Sequence, residues 1–159
     1  MAFTVILIED VQSNRGIRMR IMGLDVGEKT IGVAVSDALG WTAQGVDIVR
    51  RSTVDRDFAS LQTIIADYDV EQIVVGLPKN MDGTIGSSAK QCQAFAKEAE
   101  KRLKLPVILW DERLTTMAAE RTLLSVDMSR KRRKRVIDKL AATLILQAFL
   151  DAQRRNSHA

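Results

Sequence analysis

The chain has 159 residues, of which 46% are hydrophobic and 28% are charged. This balance is typical of one compact domain with an apolar core, and it excludes a disordered tail protein. Cys92 is the only cysteine and His158 is the only histidine. These counts exclude a disulfide framework and Cys-rich zinc sites, and they disfavour catalysis by an imidazole, because residues at chain ends are seldom held in place.

The formal net charge of +4 is unevenly distributed. Residues 130–159 carry nine basic and two acidic side chains, which gives +7, and residues 1–129 carry −3. No apolar stretch approaches the roughly 20 residues of a membrane span, and the apolar run at 3–8 has neither the basic flank nor the cleavage site of a signal peptide. We therefore expect a cytoplasmic protein with a polyanionic partner.

The predicted elements begin after a polar break at residues 12–16, so we interpret residues 1–18 as an extension. Apolar runs then predict strands over 20–25, 31–36 and 46–49. Two helix–strand units follow, with helices over 54–68 and 87–105 and strands over 72–76 and 107–110. We predict that Trp41 and Trp110, which flank strand runs, lie in the core.

Beyond the last strand, the sequence predicts a helix from about 116 to 125, a basic loop at 130–135 and a helix from about 136 to 153. The predicted domain thus covers residues 19–153 and is followed by a tail over 154–159. Three strands followed by alternating helices and strands predict an α/β fold with a mixed sheet covered by helices on both faces.

Acidic residues follow the predicted strands. Asp25 closes the first strand, and Asp111 and Glu112 follow the last. If these strands are parallel, as helical crossovers require, their carboxyl ends meet at one edge of the sheet, where ligand sites form in open α/β folds. Asp138 shares one face of the last predicted helix with Ala141 and small or apolar neighbours, and it becomes a third candidate.

Each of these acids also has a simpler interpretation, and the local pattern leaves both open. Asp25 could cap the turn after its strand, and Asp138 could be a solvated partner of nearby lysines. Asp111 and Glu112 could cap the helix predicted near residue 116, a role that suits Asp111 better than Glu112.

Taken together, Asp25, Glu112 and Asp138 form a set of hard oxygen ligands, which favours Mg²⁺ or Mn²⁺ over zinc. Two such ions about 3.5–4 Å apart can catalyse phosphodiester hydrolysis, so a histidine base is unnecessary. A nucleotide-binding P-loop is disfavoured, because residue 22, where that motif needs its first glycine, is Met22.

The basic run at 130–135 would bind nucleic acid through its phosphates, with an affinity that depends on salt and little on sequence. A solubility patch or a non-catalytic RNA-binding segment would have the same composition. Aromatic residues make up only 4% of the chain, which favours recognition of backbone and shape over base stacking.

Four motifs occur in order: GLDVGEKTIGVAVSD at 23–37, GLPKNMDG at 76–83, DERLTT at 111–116 and DKLAA at 138–142. Together they resemble the YqgF family, whose members are described as Holliday junction resolvases and as nucleases that process the precursor of 16S ribosomal RNA. The resemblance runs from residue 19 to about 151. It implies an RNase H-like fold with a mixed five-stranded sheet, and it matches Asp25, Glu112 and Asp138 to the family's acidic catalytic set.

Junction resolvases of this fold carry an acid after the fourth strand, where this chain has Gly76. The sequence leaves open whether Glu112 supplies that ligand from the next strand or whether the metal site lacks one. The sequence also leaves open whether the substrate is DNA or RNA, and whether the protein is a monomer or a homodimer.

We therefore expect a metal-dependent endonuclease that acts on structured nucleic acid, either precursor 16S rRNA at its 5′ end or a Holliday junction. Asp25 would bridge two Mg²⁺ or Mn²⁺ ions, and Glu112 and Asp138 would complete their coordination. The predicted phosphate-binding residues are Lys29, Lys79, Arg113, Arg130, Lys131, Arg132, Arg133, Lys134 and Arg135. The alternative is a non-catalytic RNA- or ribosome-binding factor; an actin-like ATPase would need a second domain, for which the chain is too short.

Overall fold

The computed structural model describes residues 19–114 and 130–157, and it describes side chains for 19–114 and 139–157. The strands are β1 (Arg20–Val26), β2 (Thr30–Ser36), β3 (Ala43–Arg50), β4 (Val70–Leu77) and β5 (Val107–Asp111). The helices are α1 (Val54–Tyr68), α2 (Ser87–Leu103) and α3 (Arg130–Ser157), and a 3₁₀ turn covers Glu112–Leu114.

The five strands form one mixed sheet in the order β3-β2-β1-β4-β5. β1 pairs with β2, and β2 with β3, in antiparallel fashion, whereas β1, β4 and β5 are parallel. Leu24 lies opposite Val75, and Gly76 lies opposite Trp110. The carboxyl ends of β1, β4 and β5 therefore meet at one edge, as the sequence predicted; this edge is called the carboxyl edge below.

Helices cover both faces of the sheet. One core joins α1 and α2 to the face that carries Leu24, through side chains such as Leu61 and Phe95. The other core joins α3 to the opposite face through Leu146 and its neighbours. At Gly23 the approach is so close that a Cβ atom would lie 2.7 Å from the Cβ of Leu146. The missing side chain thus lets α3 pack directly on the backbone of β1.

Local signals explain where α1 begins and where α1 and α2 end. The Thr53 side chain accepts a hydrogen bond from the Arg56 amide at 3.2 Å and caps the start of α1. Asp69 and Lys104 adopt left-handed backbone conformations, with φ of 52° and 54°, and they end α1 and α2. The prediction that α2 extends to residue 105 was therefore two residues too long.

Three other predictions need correction. The basic run at 130–135 is not a loop, because α3 begins at Arg130, and lysine and arginine are favourable helix formers that extend it. Helix α3 also continues through Ser157, so residues 154–157 of the predicted tail are helical. Trp41 is not in the core: it is 56% exposed and packs under the Arg154 guanidinium, whereas Trp110 is buried as predicted.

The helix predicted near 116–125 lies outside the described residues. Among the helices that are described, none is both long and apolar enough to cross a membrane.

Candidate active site

The carboxyl edge collects acidic residues on the face of the sheet that α3 covers. Side chains alternate along a strand, and Gly23 of β1 contacts α3 while Leu24 belongs to the opposite core. Asp25 therefore lies on the α3 face, at the end of β1, and is partly buried. Gly76 of β4 lies on the same face, because a Cβ atom there would meet the side chain of Ile145 at 2.6 Å.

Glu112 lies directly against Gly76. A Cβ atom at position 76 would lie 2.5 Å from Glu112 Oε1 and 3.2 Å from its Cγ. The Glu112 side chain thus occupies the space that a side chain at the end of β4 would need. Because β4 lies between β5 and β1, and neighbouring strands are about 4.8 Å apart, this placement brings the carboxylate toward Asp25.

The buried thiol of Cys92 responds to both carboxylates. Burial, together with the negative charges of Glu112 and Asp25, raises the pKa of Cys92 from 9.0 to about 11, and the positive charge of Arg51 opposes this shift. The thiol contacts the Val26 carbonyl at 3.9 Å, on the α2 side of the same edge. Cys92 is therefore a protonated packing residue beneath the site, and both carboxylates lie close enough to influence it.

Helix α3 carries the third predicted acid, Asp138, toward the same edge. Gln147 Oε1 accepts a hydrogen bond from the Ala43 amide at the start of β3, and Thr143 lies beside Gly45 further along that strand. Helix α3 therefore runs antiparallel to β3 and β1, and the turn that contains position 138 lies toward the carboxyl end of β1. The side chain of Asp138 lies outside the described residues.

Three of the predicted phosphate-binding residues surround this edge. Lys29 is exposed on the turn between β1 and β2, and Lys79 is partly buried on the loop after β4. Arg113, in the 3₁₀ turn, pairs with Asp111, and Lys79 Nζ lies 4.0 Å from the same carboxylate. The basic residues 130–135 form the first turns of α3, and nothing further is described of their side chains.

Asp111 stabilises the 3₁₀ turn that follows β5. Its Oδ1 atom accepts a hydrogen bond from the Arg113 amide at 3.0 Å, so it holds the 3₁₀ turn that carries Glu112. The Arg113 guanidinium lowers the pKa of Asp111 below its ordinary value of 3.8. The helix that Asp111 was predicted to cap, near residue 116, lies outside the described residues.

Sequence reasoning missed Arg51, which holds the turn after Asp25. Its Nη1 atom donates a hydrogen bond to the Gly27 carbonyl at 2.8 Å, and its amide donates to the Lys29 carbonyl at 2.9 Å. Its Nε atom lies 3.5 Å from a carboxylate oxygen of Asp57, which is 4% exposed. A buried acid in the first turn of α1 needs a counter-charge, but the sequence alone does not indicate which arginine provides it.

The donor set at the carboxyl edge fits a hard divalent cation. Asp25 and Glu112 are carboxylates, the ligands that Mg²⁺ and Mn²⁺ prefer, and Gly76 leaves room for the Glu112 carboxylate over the strand that lies between them. Among the described side chains, no three acidic, histidine or cysteine residues form a group that could hold a metal ion. The third acid predicted for such a group is Asp138.

Comparison with known proteins identifies the family of the chain. A family model described as "RuvX: Holliday junction resolvase" matches residues 19–152. A protein of Desulforamulus reducens named "Putative pre-16S rRNA nuclease" is 56% identical over 134 residues, which cover 84% of this chain and 98% of that protein. A protein of Listeria innocua with the same name is 58% identical over 135 residues, with the same coverage of both chains.

Among solved structures, RuvC of Thermus thermophilus in complex with a Holliday junction substrate superimposes with a TM-score of 0.52 at 14% identity. The match covers 86% of this chain and 96% of that one, and it shows that the two proteins share the RNase H-like fold. This confirms the fold that the sequence motifs implied. Because the family model matches residues 19–152 of the 159-residue chain, the chain belongs to the RuvX family of Holliday junction resolvases.

Proposed function

We propose that this protein is an endonuclease that hydrolyses phosphodiester bonds in precursor 16S rRNA, with Asp25, Glu112 and Asp138 as its catalytic carboxylates. The observation that carries the proposal is the contact of Glu112 with Gly76, which turns an acid from the end of β5 toward Asp25 on β1. The substrate follows from the names of relatives that are 56–58% identical over nearly their whole length. An RNA substrate of this kind would place the activity in the cytoplasm.

The three acids would hold two Mg²⁺ or Mn²⁺ ions at the carboxyl edge. Such ions lower the pKa of water and neutralise negative charge that develops on the scissile phosphate. Asp25 and Glu112 act only as metal ligands in this scheme, and neither has to donate a proton. The scheme also explains how the site can work without a histidine.

The cations around the carboxyl edge would orient the substrate. Lys29 and Lys79 flank the acids on two loops, and they would contact phosphates on either side of the scissile bond. The basic residues 130–135, at the start of α3, would add contacts further along the nucleic acid. Contacts of this kind give affinity that depends on salt and little on base sequence.

Cleavage by a Glu112→Gln variant tests the proposal. Glutamine keeps the shape of the side chain but removes its charge, so we expect the rate of precursor RNA cleavage to fall by at least about a hundredfold, or about 2.7 kcal/mol in the barrier. Glu100→Gln, an exposed change on α2, is the matched control and should cleave at the wild-type rate. Equal cleavage by both variants would exclude Glu112 from the catalytic set.

A Holliday junction is the second candidate substrate, and two observations favour it. The family model is described as a junction resolvase, and the RuvC structure with the same fold contains a junction. A resolvase cuts two symmetry-related strands, so junction cleavage would require a homodimer, whereas RNA trimming would not. Sedimentation of the active protein distinguishes these assemblies, and a monomer that cuts precursor RNA would support the first proposal.

A further inference from the structure

Asp111 and Arg113 flank Glu112 and contact each other at several points. Arg113 Nε lies 3.1 Å from both carboxylate oxygens of Asp111, and Nη2 lies 2.7 Å from Oδ2. The Arg113 amide donates to Oδ1 at 3.0 Å. A single carboxylate therefore holds both the guanidinium and the backbone of Arg113, a charge-assisted arrangement that fixes direction as well as distance.

The same guanidinium reaches the loop between β4 and α2. Arg113 Nη1 donates to the Met81 carbonyl at 3.4 Å. It would also lie 3.3 Å from a Cβ atom at Gly83, where φ is +89°. The loop is closed by its own hydrogen bonds, from the Asn80 amide to the Thr84 carbonyl and from the Gly83 amide to the Asn80 carbonyl. Arg113 thus joins a closed loop after β4 to the end of β5.

From these contacts we propose that Asp111 and Arg113 are a positioning pair: they hold Glu112 in place over Gly76, and Arg113 acts through Asp111 and not as a phosphate contact. The pair fixes the backbone on both sides of Glu112, and the carboxylate of Glu112 then extends over the end of β4. This inference rests on the proposed nuclease function, and it reassigns Arg113 from the predicted phosphate-binding set.

The charge state of the pair is consistent with this role. The Arg113 hydrogen bonds lower the pKa of Asp111, and Asp111 raises the pKa of Arg113. Both groups are therefore ionised at neutral pH. Lys79, at 4.0 Å from Asp111, is more distant and makes a weaker contact with the same carboxylate.

A double-mutant cycle tests the pair through steady-state kinetics. The variants are Asp111→Asn, Arg113→Gln and the double variant, and each is assayed for kcat and KM on the same RNA. If the two residues position Glu112 as one unit, each single change lowers kcat by about tenfold with little change in KM, and the double change lowers it no further. If Arg113 contacts phosphate directly, Arg113→Gln raises KM, Asp111→Asn does not, and the effects add; that result would overturn the proposal.

A matched control comes from a second arginine–carboxylate pair on the surface of α2. Arg102 Nε bonds Glu98 Oε1 at 2.5 Å, one helical turn away, and Arg102 Nη1 also pairs with Asp55 of α1 at 2.8 Å. The corresponding cycle with Glu98→Gln and Arg102→Gln should leave kcat and KM unchanged. This control removes the general effect of losing a surface ion pair.

Hydrogen exchange provides a readout that does not depend on catalysis. In the full chain, Asp111→Asn and Arg113→Gln should each accelerate exchange of the backbone amides at positions 113 and 83 by about tenfold or more, and the Glu98 and Arg102 variants should not. Unchanged exchange at both amides would overturn the pairing, whatever the activity. If the wild-type protein cuts neither substrate, the proposed function fails, and exchange still decides whether the pair holds the turn.

Discussion

Gly76 is a single residue on which the geometry of the proposed site depends. A methyl group there would lie 2.5 Å from Glu112 Oε1 and 2.6 Å from Ile145 Cδ1, and both side chains would have to move. The sequence already marked this position as unusual, because junction resolvases of this fold carry an acid there. The sequence left open whether Glu112 takes the place of that acid or whether no residue does. The contact of Glu112 with Gly76 favours the first alternative.

Substitution of Gly76 by alanine tests this directly. We expect Gly76→Ala to destabilise the protein by about 1–3 kcal/mol through overpacking, and to lower the cleavage rate because Glu112 is displaced. In the double variant Gly76→Ala with Ile145→Val, the smaller side chain should recover part of the stability but not the rate. Recovery of both would mean that displacement of Glu112 has no effect on cleavage.

Cys92 gives a pH prediction with a defined sign. Its folded pKa of about 11 lies above its ordinary value of 9.0, so the unfolded chain loses the thiol proton first as pH rises. The contribution of Cys92 to stability is complete below pH 9 and is lost between pH 9 and about 11. Urea unfolding of wild type and Cys92→Ala across this range should show an extra loss of order 2 kcal/mol in the wild type. Parallel losses in the two proteins would contradict the raised pKa.

The turn between β1 and β2 depends on contacts from distant elements. Arg51, just after β3, bonds the Gly27 carbonyl, pairs with Asp57 of α1 and lies 5.8 Å from the ring of Phe95 on α2. One side chain thus connects the turn after Asp25 to both helices of that face. Loss of its charge would leave the buried Asp57 carboxylate without its cationic partner, while the Ser52 amide would still donate to it at 2.9 Å.

An Arg51→Met variant measures this connection. We expect the free energy of unfolding to fall by roughly 1–3 kcal/mol. This is less than the loss of about 3–5 kcal/mol for a fully buried ion pair, because the Arg51 side chain is 30% exposed and solvent screens its charge. The cleavage rate should fall as well, because the turn that follows Asp25 loosens. Arg50→Met, an exposed neighbour, is the control. Equal stability of the two variants would show that the Arg51 contacts contribute nothing.

The strands and the first two helices could be predicted because each has a local pattern. Apolar runs such as residues 20–26 produce strands, and helical spacing from Phe58 to Ile65 produces α1. The beginning of α3 could not be predicted, because six consecutive cations suit a solvated loop and an exposed helix equally. Trp41 was misplaced because its exposure depends on the position of the hairpin tip, and no local pattern indicates that position.

The candidate site was predictable only in part. Strand ends identified Asp25 and Glu112 because topology alone brings the ends of parallel strands together. The contact of Glu112 with Gly76 and the role of Arg51 depend on side-chain packing between elements that are far apart in sequence. Such contacts arise only from the folded arrangement, so sequence spacing contains no signal for them.

The uneven charge of the whole molecule predicts a strong effect of salt on RNA binding. A variant with glutamine at all six positions of 130–135 should show a weaker dependence of RNA affinity on salt. The slope of log affinity against log salt concentration should decrease by about 0.7 for each single-strand phosphate that the protein no longer neutralises. A control with Lys101→Gln and Lys104→Gln, both exposed and far from the carboxyl edge, should keep the wild-type slope. An unchanged slope in the six-site variant would mean that the basic run is a solubility patch.

If the acids at the carboxyl edge cleave nucleic acid, loss of the Asp25 charge alone should abolish cleavage. Wild type, Asp25→Asn and the exposed control Asp67→Asn are assayed in parallel on precursor 16S rRNA and on a Holliday junction, with Mg²⁺ or Mn²⁺ present. We predict that wild type and Asp67→Asn cut the precursor RNA, whereas Asp25→Asn binds it but does not cut. Undiminished cleavage by Asp25→Asn, or RNA binding without cleavage by the wild type, would show that these acids are not a nuclease site.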